Sequence, residues 1–300
     1  MIIDTESHVF KRFAYSFVFP DNPLIEHFTW HEHPGDLHVQ EMNVAGVDKA
    51  ISASYNYDDL IWFMKTIDPK GMSGPEDYEG GWKYTYQFIK KYPDRLIWFD
   101  AINPLQEGCV EWVTEKAKVG LKGIKWFPAS YGKGSAVDGP QTFRVFETCT
   151  KLKLPAVISF EDTTPEAPYT PAQYVKQLDS AADRFPDVKI GLYHAGYGLP
   201  QMLKKEPTID VVKGHDNLYM STALFFLDRE YPFPRYLKTI KELAERVGVE
   251  KMMWATDWPW TEGICKYHQM VTCVKNHATF LGEKQKDRFF GGTAVEFLGL

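Results

Sequence analysis

The chain alternates between short apolar runs and longer stretches in which apolar residues recur at helical spacing. Short apolar runs that begin and end at polar or turn-forming residues are typical of strands buried in a sheet. Eight such runs occur and are predicted to be strands, over residues 2–9, 49–54, 96–103, 123–127, 155–160, 189–194, 217–222 and 251–256. The pattern therefore predicts a sheet of eight strands with helices between them.

Helical periodicity separates most of these strands. It predicts helices over residues 78–92, 110–118, 142–151, 170–184 and 234–247. Because strands that alternate with helices form parallel sheets, eight such units favour an α/β fold, a (β/α)8 TIM barrel, here a single domain over residues 1–300. No repeat or low-complexity linker divides the chain.

Residues 11–40 are predicted to form an insertion after the first strand. Loops at the carboxyl ends of barrel strands commonly shape the pocket, so this segment is where substrate specificity is expected. Its four histidines, His27, His31, His33 and His38, are expected at the surface rather than as ligands.

The first and last strands each end at residues able to bind a metal. Glu6 and His8 lie at the end of the first strand, and Asp257 follows the last. Alternation along a strand places Asp4, Glu6 and His8 on one face. A closed barrel brings the first and last strands together, so these groups predict a metal site of mixed nitrogen and oxygen ligands at the barrel mouth.

Other polar side chains are expected at the same end of the barrel, where the chemistry of this fold takes place. They are Tyr55, Asn103, Lys125, Ser159 or Glu161, His194, and Ser221 or Thr222. Together with the first and last strand ends, they predict a mononuclear metal site with an open coordination position for water or substrate.

Composition narrows the class of protein. Apolar residues at 44% and charged residues at 25% are ordinary for a globular protein, and the net charge of −6 argues against a nucleic-acid surface. No run is long and apolar enough for a membrane span, and the amino terminus lacks the pattern of a signal peptide. Four scattered cysteines without a CxxC pair favour free thiols in a reducing cytosol, so a cytoplasmic location is expected.

Six stretches in family order resemble the amidohydrolase superfamily, specifically the amidohydrolase-2 branch that contains amino-carboxymuconate-semialdehyde decarboxylase and γ-resorcylate decarboxylase. They are residues 3–8, 42–50, 123–128, 193–198, 255–259 and 297–300. The resemblance implies one divalent ion, Zn²⁺ or Mn²⁺, held by Glu6, His8 and Asp257. It also implies that His194 acts as a proton-transferring base or a substrate contact.

The chain departs from the family pattern at two positions. Hydrolytic members carry His-x-His on the first strand, whereas Glu6-x-His8 resembles aromatic-acid decarboxylases of the branch. The histidine ligand usual near the end of the fifth strand is absent, and Glu161 stands in that region. Glu161 or His194 then completes the metal shell, or the metal is lost. A shell rich in oxygen would favour Mn²⁺ over Zn²⁺.

Three functions remain open from the sequence. The leading hypothesis is a metal-dependent, non-oxidative decarboxylase (a carboxy-lyase) of a hydroxylated aromatic or unsaturated carboxylic acid. The first alternative is a hydrolase that cleaves a lactone or amide by attack of metal-activated hydroxide. The second is a barrel that binds a ligand without catalysis.

The residues and partners follow from the leading hypothesis. Asp257 and His194 are expected to be catalytic, and the partner is a small carboxylic acid, with no nucleic acid or membrane. Family members are often dimers, so a homodimer is compatible with the resemblance. Substrate contacts are expected from Lys125, Arg12, Arg229, Tyr193 and Trp258.

Overall fold

The computed structural model describes residues 1–14, 30–55, 81–160, 168–196, 206–223, 228 and 230–300. The strands in this part of the chain are β1 (Ile3–Ser7), β2 (Phe10–Ala14), β3 (Trp30–His33), β4 (Lys49–Ala53), β5 (Leu96–Ala101), β6 (Gly123–Trp126), β7 (Ala156–Ile158), β8 (Ile190–Leu192), β9 (Leu218–Ser221) and β10 (Met252–Met253). Eight of them form one parallel sheet in the order β1-β4-β5-β6-β7-β8-β9-β10. Each lies within a predicted strand, which confirms the barrel prediction.

Helices cover the outside of this sheet. Those in the described residues are α1 (Gly35–Ala45), α2 (Trp82–Lys91), α3 (Cys109–Lys118), α4 (Pro140–Leu152), α5 (Pro171–Arg184), α6 (Glu206–Gly214), α7 (Pro234–Arg246), α8 (Tyr267–His277), α9 (Glu283–Asp287) and α10 (Thr293–Leu298). The helix predictions are correct to within a few residues at each end. None of the described helices combines the length and apolarity needed to cross a bilayer.

The core has two layers. Side chains inside the barrel, among them Ile51, Phe99 and Met253, form one buried cluster, which Phe297 of α10 joins from the carboxyl-terminal helix. A second and larger cluster lies between the outer face of the sheet and the helices. The four cysteines are buried free thiols.

The first and last barrel strands meet at an irregular seam. β10 has only two residues, and Ser7 and Trp258 form an isolated parallel bridge beyond its end. The Thr5 amide donates to the Trp254 carbonyl at 3.1 Å, and the His8 amide donates to the Trp258 carbonyl at 2.7 Å. These bonds bring the end of β1 beside the segment that follows β10, as the prediction of a closed barrel required.

A β-bulge in β1 overturns one expectation. Asp4 pairs with Ala50 and Ser7 pairs with Ser52, so β1 holds one more residue than β4 between these two pairs. An extra residue breaks the alternation of faces. The prediction that Asp4 shares a face with Glu6 and His8 is therefore wrong: the Asp4 carboxylate bonds to Tyr267 of α8.

Part of the predicted insertion belongs to the barrel itself. β2 and β3 form an antiparallel hairpin, and α1 begins at Gly35, so residues 35–40 are in the first helix. His33 and His38 are buried, so the prediction that they are exposed is wrong. His27 and the side chain of His31 lie outside the described residues. His33 pairs with Glu262 at 3.2 Å, and His38 packs edge-on against Tyr267.

Burial of His38 predicts acid lability. Burial, helped by His33 and Arg95, lowers the pKa of His38 to about 3. In the unfolded chain the pKa is about 6.5, so only the unfolded state binds this proton between the two values, and stability falls as the pH drops through that window. Between pH 7.5 and pH 5, His38 should cost the wild type about 2 kcal/mol of unfolding free energy. We expect His38→Leu to lose that much less over the same pH range, as measured by urea unfolding.

The control for this prediction is His268→Gln, because His268 is an exposed histidine on α8. That variant should keep the wild-type dependence on pH. An equal loss of stability between pH 7.5 and pH 5 in His38→Leu and wild type would contradict the prediction.

Candidate active site

Two acids and one histidine converge at the carboxyl end of the barrel. Ligand atoms of Glu6, His194 and Asp257 all lie within 4.8 Å of one another. The Oε1 atom of Glu6 is 3.2 Å from Nε2 of His194, and its Oε2 accepts a hydrogen bond from the Ser221 hydroxyl at 3.2 Å. Glu6 and Ser221 are fully buried, and the Asp257 side chain is 14% exposed. The structure thus brings together three of the predicted ligands.

His8 joins this cluster through Asp257. Its Nε2 atom lies 3.3 Å from Oδ1 of Asp257 and 3.4 Å from the hydroxyl of Tyr55. Burial, followed by the charge of Lys125, holds the pKa of His8 well below its usual value. The imidazole is therefore neutral and keeps a lone pair at Nε2, which is the form that binds a metal.

Both histidines are oriented by backbone carbonyl groups. Nδ1 of His8 donates to the Ala53 carbonyl at 2.7 Å, and Nδ1 of His194 donates to the Ala223 carbonyl at 2.9 Å. A proton fixed on Nδ1 leaves Nε2 of each ring facing the two carboxylates. Metal-binding histidines are commonly held in this way, by a hydrogen bond from the ring nitrogen that does not touch the metal.

The backbone at these residues adopts an unusual conformation. His194, Ala195 and Asp257 have φ values of 53°, 50° and 57°, in the left-handed region that non-glycine residues seldom occupy. Such conformations persist where the surroundings impose them, and they concentrate at functional sites. The Asp257 amide donates to the Glu6 carbonyl at 2.7 Å, which ties the two acids together through the main chain.

The donor set fits a divalent cation. Glu6 Oε1 is buried and accepts no hydrogen bond from the residues that the structure describes, although an uncompensated buried carboxylate oxygen is costly. A cation placed among Glu6, His8, His194 and Asp257 would supply that missing interaction. Carboxylate oxygens and imidazole nitrogens together suit borderline ions such as Zn²⁺ and Mn²⁺.

A buried cation lies beside the cluster. Lys125 of β6 is 1% exposed, and its Nζ atom is 4.6, 4.5 and 4.9 Å from the ring centroids of Tyr55, Phe127 and Tyr193. Ring faces attract an ammonium group but satisfy none of its hydrogen bonds. Lys125 is therefore positioned to bind an anionic group that enters the barrel mouth.

Aromatic rings form a wall at the same level. Tyr55 stacks between Phe10 and Phe127, with both centroid distances at 5.7 Å, and it contacts the His8 ring at 4.7 Å. Tyr55 also lines an adjacent cavity of about 390 Å³, together with Trp82, Asp100, Asn103 and Trp112. Sequence reasoning did not single out Phe10 or Phe127; aromatic residues at strand ends were the available signal.

The other predicted site residues have different positions. Tyr193 is buried beside Lys125, and its contact with a substrate stays a prediction. The indole of Trp258 is not part of the cluster, because it packs against Tyr267 in the core. Glu161 and Arg229 lie outside the described residues, as does the side chain of Arg12.

Comparisons with known sequences connect this geometry to a family. A family model described as Amidohydrolase matches residues 75–300. A curated relative from Dictyostelium discoideum is 2-amino-3-carboxymuconate-6-semialdehyde decarboxylase. It is 25% identical over 292 aligned residues, which cover 88% of this chain and 76% of the relative.

Solved structures share the barrel over its full length. An amidohydrolase from Burkholderia multivorans with bound zinc has a TM-score of 0.69 at 12% identity. A probable 2-pyrone-4,6-dicarboxylic acid hydrolase from Acinetobacter baumannii, with citric acid bound, has a TM-score of 0.67 at 14% identity. Both comparisons cover 100% of this chain and 99% of the other. At these identities the likeness shows the fold.

Proposed function

The chain belongs to the amidohydrolase family, and from that membership we propose that it is a metal-dependent, non-oxidative decarboxylase of a hydroxylated aromatic or unsaturated carboxylic acid. The relative in Dictyostelium discoideum, a decarboxylase by name, supports this reaction class. The observation that carries the proposal is the buried ammonium of Lys125 beside the acid and histidine cluster.

Charge balance favours a carboxylate substrate. Glu6 and Asp257 contribute two negative charges at the barrel mouth, which one divalent cation would neutralise. Among the described residues at this site, the ammonium of Lys125 contributes a positive charge, and it is surrounded by aromatic rings. A substrate carboxylate would neutralise this charge and provide the hydrogen-bond acceptor that the rings lack. The aromatic wall provides a surface against which a planar substrate can stack.

Glu6, His8, Asp257 and His194 are the proposed metal ligands. When bound, Zn²⁺ or Mn²⁺ would act as a Lewis acid that stabilises negative charge on substrate oxygens. The hydrogen bonds from the two histidines to backbone carbonyls keep Nε2 of each ring directed at that position. Ser221 holds the second oxygen of Glu6 and so fixes the orientation of this carboxylate.

The chain's own groups then carry out proton transfer. Lys125 binds the substrate carboxylate, and Tyr193 and Phe127 pack beside it. Asp257, whose side chain is 14% exposed, takes up a proton from solvent water and delivers it to the carbon that bears the carboxylate, with His194 as the second candidate for the same transfer. The bond to the carboxylate carbon then breaks and its electron pair stays with the substrate. Carbon dioxide leaves, and no oxidant is needed.

Hydrolysis of a lactone or amide is the second candidate, since the same cluster can serve it. Asp257 lies 3.3 Å from His8 Nε2 and would accept a proton from the attacking water instead of donating one to carbon. The probable hydrolase from Acinetobacter baumannii, which shares the fold, is an example of this chemistry by name.

An assay on two substrate panels tests the proposal. The enzyme is supplied with Mn²⁺ or Zn²⁺ and incubated with hydroxybenzoates and unsaturated dicarboxylic acids while release of carbon dioxide is followed. A second panel contains lactones and amides. Carbon dioxide release that disappears when the metal is chelated is the expected result. Cleavage of a lactone or amide with no carbon dioxide release would reject decarboxylation, and inactivity on both panels would favour a barrel that only binds its ligand.

A further inference from the structure

Asp4 lies directly behind the acid and histidine cluster, at the seam between the first and last strands. It is fully buried, and its carboxylate accepts four hydrogen bonds. Its Oδ1 atom accepts from the Glu6 amide at 3.1 Å and from the Thr256 amide at 3.0 Å. Its Oδ2 atom accepts from the Thr256 hydroxyl and from the Tyr267 hydroxyl, the latter at 2.9 Å. One oxygen thus binds the main chain of β1 and the main chain of the segment that follows β10.

These bonds replace a regular strand ladder. The bulge in β1 removes the Glu6 amide from regular pairing, and β10 ends at Met253, three residues before Thr256. A buried amide without an acceptor costs free energy, and the Asp4 carboxylate supplies an acceptor to both. The carboxylate therefore joins β1 to the segment after β10, where the sheet itself does not.

The hydrogen bonds of Asp4 hold the main chain at or next to both acids of the cluster, Glu6 and Asp257. Glu6 is held through its own amide, and Asp257 directly follows Thr256. The hydroxyl of Thr256 also accepts from the Trp258 amide at 3.1 Å, so the turn that contains Asp257 is held on both sides. The direct bond from the Asp257 amide to the Glu6 carbonyl closes this network.

We propose that Asp4 is a positioning residue that sets the separation of the Glu6 and Asp257 carboxylates and thereby the affinity of the site for a divalent metal. The proposal deepens the function proposed above and rests on it for the metal. Asp4 does not touch substrate or metal. It acts through the main chain of β1 and of the segment that follows β10, so the position of its carboxylate oxygens matters more than its charge.

Two variants distinguish the effect of the position of the Asp4 side-chain oxygens from the effect of its charge. Asp4→Asn keeps the shape and the Oδ1 acceptor, whereas Asp4→Glu keeps the charge and displaces the carboxylate by one methylene. The affinity of the full chain for Mn²⁺ alone is measured by titration calorimetry. We expect Asp4→Glu to bind about 10- to 100-fold more weakly than wild type, and more weakly than Asp4→Asn. The opposite order, with Asp4→Asn the weaker, would show that charge dominates and would overturn the proposal.

Two controls exclude a general loss of stability. Tyr267→Phe removes only one bond to Oδ2, so we expect it to bind Mn²⁺ nearly as wild type does. Phe297→Leu shortens an apolar side chain of the barrel core and removes no hydrogen bond, so it should lower the melting temperature without changing Mn²⁺ affinity. A loss of affinity in Phe297→Leu that matches its loss of melting temperature would assign the Asp4 effect to stability and overturn the proposal.

Other outcomes also decide the proposal. If Asp4→Glu does not fold, Thr256→Val takes its place in the comparison with Asp4→Asn. This variant keeps the charge of Asp4 but removes a hydroxyl that binds its carboxylate, so we expect it to bind Mn²⁺ more weakly than Asp4→Asn. If wild type binds no Mn²⁺, the proposed metal-dependent function fails, and crystal structures of the variants test Asp4 separately. Displacement of Asp257 Oδ1 from its 3.3 Å approach to His8 in Asp4→Glu, but not in Asp4→Asn, would support positioning. An unmoved Asp257 in both would refute it.

Discussion

Replacement of Asp257 with Asn is expected to lower kcat by about 100- to 10,000-fold, the range typical for loss of a general acid or base. The change removes the ionisable oxygen beside His8 and, at the same position, one carboxylate of the proposed metal shell. The amide is isosteric, so the fold should persist. The measurement is kcat with the best acid from the substrate panel, together with Mn²⁺ affinity by titration calorimetry.

Glu262→Gln is the matched control. Glu262 is a partly exposed acid five residues further along the chain, and its carboxylate pairs with His33. This variant should keep wild-type kcat and metal affinity. Asp257→Asn with unchanged kcat would remove Asp257 from the mechanism. If Asp257→Asn binds Mn²⁺ more weakly but keeps wild-type kcat when the metal is saturating, Asp257 is a metal ligand and has no role in proton transfer.

The barrel could be predicted because its strands are buried on both faces. Such strands appear in the sequence as apolar runs, and β7, for example, lies within the predicted range 155–160. The last strand is the instructive exception, since a strand was predicted over residues 251–256 and β10 covers only Met252–Met253. The Thr256 amide bonds to the side chain of Asp4 instead of to a neighbouring strand. An acceptor 252 residues away in the sequence leaves no signal in the local pattern.

The candidate cluster could be predicted only in part. Strand ends indicated Glu6, His194 and Asp257, and the structure brings these together. The face on which Asp4 lies could not be predicted, because a one-residue bulge depends on the pairing with β4. Burial of His38 likewise depends on the packing of α1 against Tyr267 of α8, whereas its position in the predicted insertion suggested exposure.

The geometry of the site also explains why two reactions remain compatible with one ligand set. Glu6, His8, His194 and Asp257 provide a metal position and a proton-transferring carboxylate, and both candidate reactions use these groups. The two reactions can be told apart only by the other side chains at the barrel mouth, which bind the substrate. Lys125 supports the proposed decarboxylation, because an ammonium within a ring of aromatic faces suits an anionic substrate, which a decarboxylase requires and a hydrolase does not.

Substitution of Lys125 by Met is therefore the second test with a large expected effect. Methionine fills a similar volume among Tyr55, Phe127 and Tyr193 but removes the charge. Loss of a charge-assisted hydrogen bond costs about 1.5–3 kcal/mol, so we expect KM for the acid to rise about 10- to 100-fold. Stability should stay the same or increase, because a buried charge is replaced by an apolar group. Steady-state kinetics and thermal unfolding measure the two effects.

Lys116→Met is the control, since Lys116 is likewise a buried lysine packed on aromatic rings, those of Trp98 and Trp112, on helix α3. It should leave KM unchanged. The methyl ester of the acid provides a second comparison: as an inhibitor without the carboxylate charge, it should bind wild type and Lys125→Met equally. A rise in KM in Lys116→Met as large as that in Lys125→Met, or weaker binding of the ester to Lys125→Met, would show that packing of the aromatic wall controls affinity. An unchanged KM in Lys125→Met would mean that the substrate carboxylate is bound elsewhere, which would remove the main support for decarboxylation over hydrolysis.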